Sequence, residues 1–190
     1  MAGYEGALDT EYTWRDFWNG LSPTWRRVLC GSDILTPPSA DPILRRRRLT
    51  TDFEWVWYFD PIRALPAVTE ALLWDINGMD LGPLTGRSWR LLQLAGPANV
   101  DVAQLSGTPV RRLILSNVDV EDLSGLQGIV GLEALTLAHG DFGVLPPLDH
   151  LAELVLYADV DIDIAAAQNP GLRVTVLDEP YFPPFGPDDV

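Results

Sequence analysis

The sequence contains no lysine, and all 13 of its basic residues are arginine. Alanine, glycine, proline, aspartate and arginine share GC-rich codons, so this absence reads first as coding bias, ahead of selection for planar guanidinium contacts. Cysteine is nearly absent as well. Cys30 stands alone, which excludes an internal disulfide and removes any argument for an oxidising compartment. No uninterrupted run of about 20 apolar residues occurs, so no membrane-spanning helix is expected. The opening Met1-Ala2-Gly3-Tyr4-Glu5 lacks a basic region followed by an apolar stretch, so a signal peptide is not expected either. These absences together predict a cytoplasmic bacterial protein.

Acid is what the chain has in excess. Its 190 residues carry a formal net charge of -14. Residues 1–100 hold 12 acids against 10 arginines, whereas residues 101–190 hold 15 acids against 3 arginines. The second half therefore repels nucleic acid and anionic membrane, and would attract a basic partner. The length fits one domain with a sizeable core.

That core is announced by a repeated phrase: apolar, two residues, apolar, one residue, apolar. It reads Val110/Leu113/Leu115, Leu132/Leu135/Leu137 and Leu151/Leu154/Leu156, with further copies at Val68/Ala71/Leu73, Trp89/Leu92/Leu94 and Val174/Val176. The final residues fall at 73, 94, 115, 137, 156 and 176, so the intervals are 21, 21, 22, 19 and 20. Eight residues past each of the first five anchors stands Leu81, Val102, Leu123, Leu145 or Ile164, and eleven past stands Leu84, Leu105, Leu126, Leu148 or Ala167. Asp80, Asp101, Asp122 and Asp163 precede four members of the first set. An Asp there accepts hydrogen bonds from the free N–H groups that open a short helix or 3₁₀ turn. Each unit thus reads as strand, loop, capped turn and return, and stacking buries apolar positions that no single unit can bury alone.

A period of 20–29 residues with this grammar resembles the leucine-rich repeat. The resemblance implies an α/β solenoid of short parallel strands with helical, 3₁₀ or irregular turns on the convex side, and it makes protein binding the expected activity. One departure stands out. Where the repeat usually carries Asn, three residues past the anchor, this chain has Ile76, Pro97, Val118, Gly140 and Asp159. Its loops are therefore expected to be satisfied by water or backbone, in an irregular, gently curved stack.

Residues 1–44 are expected to form a helical, tryptophan-rich N-terminal cap and connection. Asp9 or Thr10 could cap a helix through Leu21, with Tyr12, Phe17, Trp18 and Leu21 inward. Ser22-Pro23 reads as an N-cap and a first-turn proline for a second helix, with Trp25, Val28 and Leu29 inward, Arg26 and Arg27 outward, and Gly31 ending it. The phrase Phe17-Trp18-Asn19-x-Leu21-x-x-x-Trp25-Arg26-Arg27 resembles the lead-in of bacterial cytoplasmic leucine-rich-repeat proteins. Its aromatics are read as a cap over the first repeat rather than as a ligand cage. Residues 31–44 read as an irregular connection. Residues 45–177 then form a solenoid of about seven units, whose first strand, Leu49-x-Thr51, is found by projecting the register back 22 residues. Phe59 and Ile62 follow Thr51 at the required spacings. Residues 178–190 are a proline-rich cap or tail, with Tyr181, Phe182 and Phe185 expected over the last repeat.

Enzymatic chemistry has little to stand on. The histidines, His139 and His150, are 11 residues apart, and neither is placed beside Cys30. Asp159, Asp161 and Asp163 alternate as in a calcium loop, but that loop's glycine and distal glutamate are missing. No catalytic residue, metal site or cofactor is expected. The run Arg45-Arg46-Arg47-Arg48 suggests phosphate or nucleic-acid contact, yet the net charge opposes it and the run leads into a strand, where it can pair with the chain's own acids. What remains is the concave face of the sheet. Arg48, Glu70, Trp74, Arg112, Glu153, Tyr157 and Arg173 are the candidate partner-binding residues there, and Asp119, Glu121, Asp141, Asp159 and Asp161 form the candidate acidic loops. The expected function is a non-catalytic protein-interaction module, monomeric on its own, that binds neither nucleic acid nor membrane. Its sharper variant is an acidic immunity or antitoxin protein that neutralises a basic toxin.

Overall fold

A computed structural model describes residues 11–32, 34–51, 56–76, 78–164, 171–178 and 181. In it the repeated phrases become parallel strands: β1 (Arg48–Thr50), β2 (Glu70–Leu73), β3 (Leu91–Asn99), β4 (Arg112–Asp119) and β5 (Ala134–Ala138). A short β6 (Asp141–Val144) precedes β7 (Glu153–Tyr157), and β8 (Asp161–Asp163) precedes β9 (Arg173–Leu177). The main sheet runs β1-β2-β3-β4-β5-β7-β9, every pair parallel, while β6 and β8 pair separately. This is a leucine-rich-repeat solenoid.

Register explains why the phrase repeats. Leu92 pairs with Leu113, Leu113 with Leu135, Leu135 with Leu154, and Leu154 with Val174. Like residues thus stack on like across the turns. All four leucines are fully buried, as are the anchors Leu73, Leu94, Leu115 and Leu137. On the convex side, 3₁₀ helices at Gly82–Leu84, Val102–Leu105 and Leu123–Gly128 carry the second apolar set inward. Asp80, Asp101 and Asp122 accept the N–H groups of Gly82, Ala103 and Ser124 at 2.8, 3.0 and 2.8 Å. The Ser124 side chain, and after it the Ser124 backbone N–H, holds the Asp122 carboxyl below its ordinary pKa by hydrogen bonding. For the fourth expected cap, Asp163 ends β8 and its carbonyl accepts the N–H of Leu145 at 2.8 Å, while the turn it would open lies outside the described residues. Ala167 lies outside the described residues.

Two residues past the anchors, Asp75, Gly96, Asn117 and His139 have φ of 54, 115, 53 and 51°. Glycine adopts this left-handed conformation freely, and Asn, Asp and His tolerate it best among the rest. The chain uses it to change direction at the same register position in four successive units. Beyond the turn, the missing asparagines are replaced by backbone pairing between neighbouring turns. Val100 N–H donates to the Asp119 carbonyl at 2.9 Å, and Val120 N–H to that of Asp141 at 3.0 Å.

The N-terminal segment contributes α1 (Glu11–Gly20), α2 (Pro23–Cys30) and α3 (Ala40–Leu44). The side chain of Ser22 accepts Trp25 N–H, and Gly31, at φ 74°, closes α2. Residues 1–10 and the side chain of Tyr12 lie outside the described residues. Two expectations are corrected. The connection is not wholly irregular, since α3 inserts Ile43 into the core. Arg26 faces inward, donating to the carbonyls of Trp18 and Asn19 at 3.4 and 3.3 Å, because the last carbonyls of a helix have no partner within it. The indoles of Trp14, Trp18 and Trp25 donate to the carbonyls of Pro38, Ile34 and Tyr58, which fixes them as structure. Thr51, Phe59 and Ile62, on the first unit, are fully buried.

Candidate functional site

Strand alternation puts three rows of side chains on the concave face. The first runs through Arg48, Glu70, Leu91, Arg112, Ala134, Glu153 and Arg173. Arg48 and Arg90 both pair with Glu70, Arg48 at 2.8 Å. Glu70 is corrected as a contact residue: its side chain is only 4% exposed and its oxygens are taken by these two arginines. Arg112 reaches Glu153 at 3.6 Å across β5, where small Ala134 leaves room, and Arg173 is exposed. The arginine run is split among structural tasks: Arg45 pairs with Asp41, and Arg46 donates to the Val28 carbonyl at 3.1 Å.

The middle row holds Thr50, Leu72, Gln93, Ile114, Thr136, Val155 and Thr175, paired in that order. The third passes from half-buried Trp74 through buried Ala95, Ser116 and Ala138 to half-buried Tyr157. Four strand spacings put those two aromatics roughly 19 Å apart. They share the face but do not meet. Trp74 is anchored by its backbone N–H, which donates to Thr51 Oγ1 at 2.8 Å.

Tyr181 fills part of the space between them. Its ring packs on a buried cluster of Leu72, Leu91 and Ile114, and it meets Tyr157 edge-on, with ring centroids 5.2 Å apart at 89°. Its hydroxyl donates to Gln93 Oε1 at 2.9 Å, while Gln93 Nε2 donates to Ser116 Oγ at 3.1 Å. Gln93 is fully buried. Burial, followed by the neighbouring Tyr157, pushes the Tyr181 phenol well above its ordinary pKa. Tyr181 was expected over the last repeat; it lies on the concave face instead, and Val174 and Val176 of β9 stay 39% and 62% exposed. Phe182 and Phe185 lie outside the described residues.

The acidic residues line the edge where the concave strands end. Asp119 accepts the N–H of Asp141 at 3.2 Å, and Asp141 pairs in register with Asp161. Asp119, Glu121, Asp141, Asp159 and Asp161 are all exposed. Asp159 bonds to His139 Nδ1, which holds its carboxyl below the ordinary range, and the His139 ring lies 6.3 Å from that of Tyr157. The acidic edge and the aromatic end of the face are therefore continuous. Cys30 spends its thiol on the carbonyls of Arg26 and Ser32, at 3.0 and 3.1 Å. Among the described residues no group of three or more His, Cys, Asp and Glu is placed to hold a metal ion, and no helix is long and apolar enough to cross a membrane.

Nothing in the sequence signalled a role for Gln93, Leu72 and Ile114, and its proline-rich end suggested Tyr181 over the last repeat rather than on this face. The charged and aromatic residues drew notice; the buried amide between them did not.

The strand order and register define the architecture as a leucine-rich-repeat solenoid, a fold suited to presenting a concave sheet. No protein-family model and no curated protein matches the sequence. Among solved structures, internalin C2 from Listeria monocytogenes is similar over 80% of this chain and 90% of that one, at 18% identity and a TM-score of 0.36.

Proposed function

We propose that this protein is a non-catalytic interaction module that binds a partner protein on its concave face. The observation that carries the reading is the seating of Tyr181: the face already holds a protein side chain from 88 residues away. The apolar cluster under it shares the face with Trp74 and Tyr157, and aromatic and arginine side chains are the usual energetic anchors of interfaces. The test is photo-crosslinking in the native host, with the reactive side chain replacing Thr136 at the centre of the face or Ser124 on the convex side. Capture of one protein from position 136 and none from 124 is expected. Equal capture from both, or capture through the acidic edge alone, overturns the reading. With the captured protein in hand, Trp74→Ala and Tyr157→Ala should each weaken binding by roughly 2 kcal/mol in calorimetric titration. Their thermal melts should stay cooperative with only a modest fall, since both side chains are half-buried on the concave face and lie outside the repeat core.

A second reading, an immunity or antitoxin protein acting on a basic toxin, is favoured by the acidic edge. Asp119, Asp141 and Asp161 succeed one another on neighbouring turns, so their fields add along one line. A basic partner would be steered there, and its association rate should fall by roughly tenfold or more between low and physiological salt. Charge reversal at Asp119, Glu121 and Asp141 should reproduce that fall at low salt. Stopped-flow rates indifferent to both changes reject electrostatic recruitment.

A further inference from the structure

We infer that the concave face contains a tyrosine socket, filled in cis by Tyr181, and that a partner protein gains the face by inserting a tyrosine of its own. The inference rests on the concave-face reading and adds what the face recognises. Three features define the socket. Leu72, Leu91 and Ile114 give it a flat apolar floor, which takes an aromatic ring of any kind. Tyr157 stands at one side and meets the incoming ring edge-on, the geometry that aligns the positive edge of one ring with the negative face of the other. At the far end is Gln93, fully buried, with its amide nitrogen committed to Ser116 and its oxygen turned to the phenol.

The buried amide sets the specificity. A phenylalanine would cover the same floor but leave Gln93 Oε1 without a donor, and an unpaired buried acceptor costs far more than a hydrogen bond gains. Aliphatic side chains would forfeit the ring contact too. The elevated pKa of the Tyr181 phenol is consistent with a site that takes the neutral, donating form.

Position in the chain makes Tyr181 a competitor. Strand β9 ends at Leu177, four residues earlier, so the tethered phenol stays close to its socket. A ligand on a short tether faces its site at an effective concentration on the order of millimolar. A partner's tyrosine must overcome that, so its apparent affinity is reduced by the fraction of molecules whose socket is filled.

The test uses the full chain and a fluorescent peptide corresponding to residues 177–185, added in trans and followed by anisotropy. The peptide should bind Tyr181→Ala at least about tenfold more tightly than wild type, because the cis competitor is gone. The same peptide with phenylalanine in place of its tyrosine should bind Tyr181→Ala roughly tenfold more weakly; changing the peptide leaves the protein's folding untouched. Equal affinity for wild type and Tyr181→Ala would overturn cis occupancy, and equal affinity for the two peptides would reduce the socket to a nonspecific apolar patch. A wild-type dimer, abolished by Tyr181→Ala, would assign the site to a second copy instead of a partner. If crosslinks persist from position 136 but the peptide never binds, the socket falls and the interaction module stands. If the peptide titrates as expected while crosslinks come only from the acidic edge, the reverse holds.

Discussion

Leu135→Ala should lower the stability of the protein by about 2–5 kcal/mol, the range measured for removing a buried leucine side chain and leaving a cavity. Leu135 sits in the middle of the sheet, in register with Leu113 on β4 and Leu154 on β7, and all three are fully buried. The backbone on both sides is held by parallel ladders, so the stack can close only partly around the missing atoms. In a solenoid the loss also weakens two interfaces at once, because each turn's stability is shared with its neighbours. For a domain of this size each kcal/mol moves the melting temperature by roughly 2–4 °C, so a fall on the order of 10 °C should appear in a circular-dichroism melt. A shift below about 1 kcal/mol in urea titration, the size expected of a surface site, would remove Leu135 from the core.

Gly140→Ala should be nearly as costly for the opposite reason. A Cβ on Gly140 would lie 2.0 Å from the carbonyl oxygen of Val118 on the preceding turn and 3.0 Å from the Phe142 ring. The obstacle is backbone, with no rotamer to swing away. Accommodation requires neighbouring turns to part, straining the pairing of Val120 N–H with the Asp141 carbonyl. Overpacking a core by even one methyl group commonly costs about 1–3 kcal/mol, and the rigidity of this obstacle places the expected loss near the top, about 3 kcal/mol. Gly20→Ala is the control: nothing lies within 4 Å of its added carbon, and its urea midpoint should not fall. Equal midpoints for both variants would show that the turns are not in contact at Gly140.

The repeated architecture was legible because its determinants are periodic. Leu92, Leu113, Leu135 and Leu154 recur at one strand position, and the Asp80, Asp101 and Asp122 caps lie where the spacing put them. The left-handed turns left a signal that went unread. Asp75, Gly96, Asn117 and His139 are the residue types that tolerate positive φ, at one register position, yet they share neither charge nor hydropathy. The β6–β8 ladder was missed because Asp141–Val144 and Asp161–Asp163 are only four and three residues long and their register shifts between Asp141 and Val144. Gly140 looked like the loss of an asparagine, when its small size is what permits the close approach of Val118. Arg26 and Glu70 were read by charge class, and both are buried because specific partners, helix-end carbonyls for one and two arginines for the other, replace water. Tyr181 was beyond reach for another reason. Its partner Gln93 is 88 residues away, and a single long-range contact carries no period.

The two edges of the main sheet differ in a way that bears on motion. Beside β1, the first unit is backed by Trp25 and Leu29 of α2, both fully buried. At β9 the apolar face carries Val174 and Val176 exposed to solvent. Where turns stabilise one another in sequence, fraying begins at the turn that gives up least by opening, and that turn is β9. The same strand leads into Tyr181, whose ring rests against residues of β2, β3, β4 and β7. The tyrosine thus tethers the loosest turn to the firmest part of the stack. Releasing it from Gln93 both empties the socket and lets the edge fray, so a segment that captures the face would also change how readily the chain unwinds.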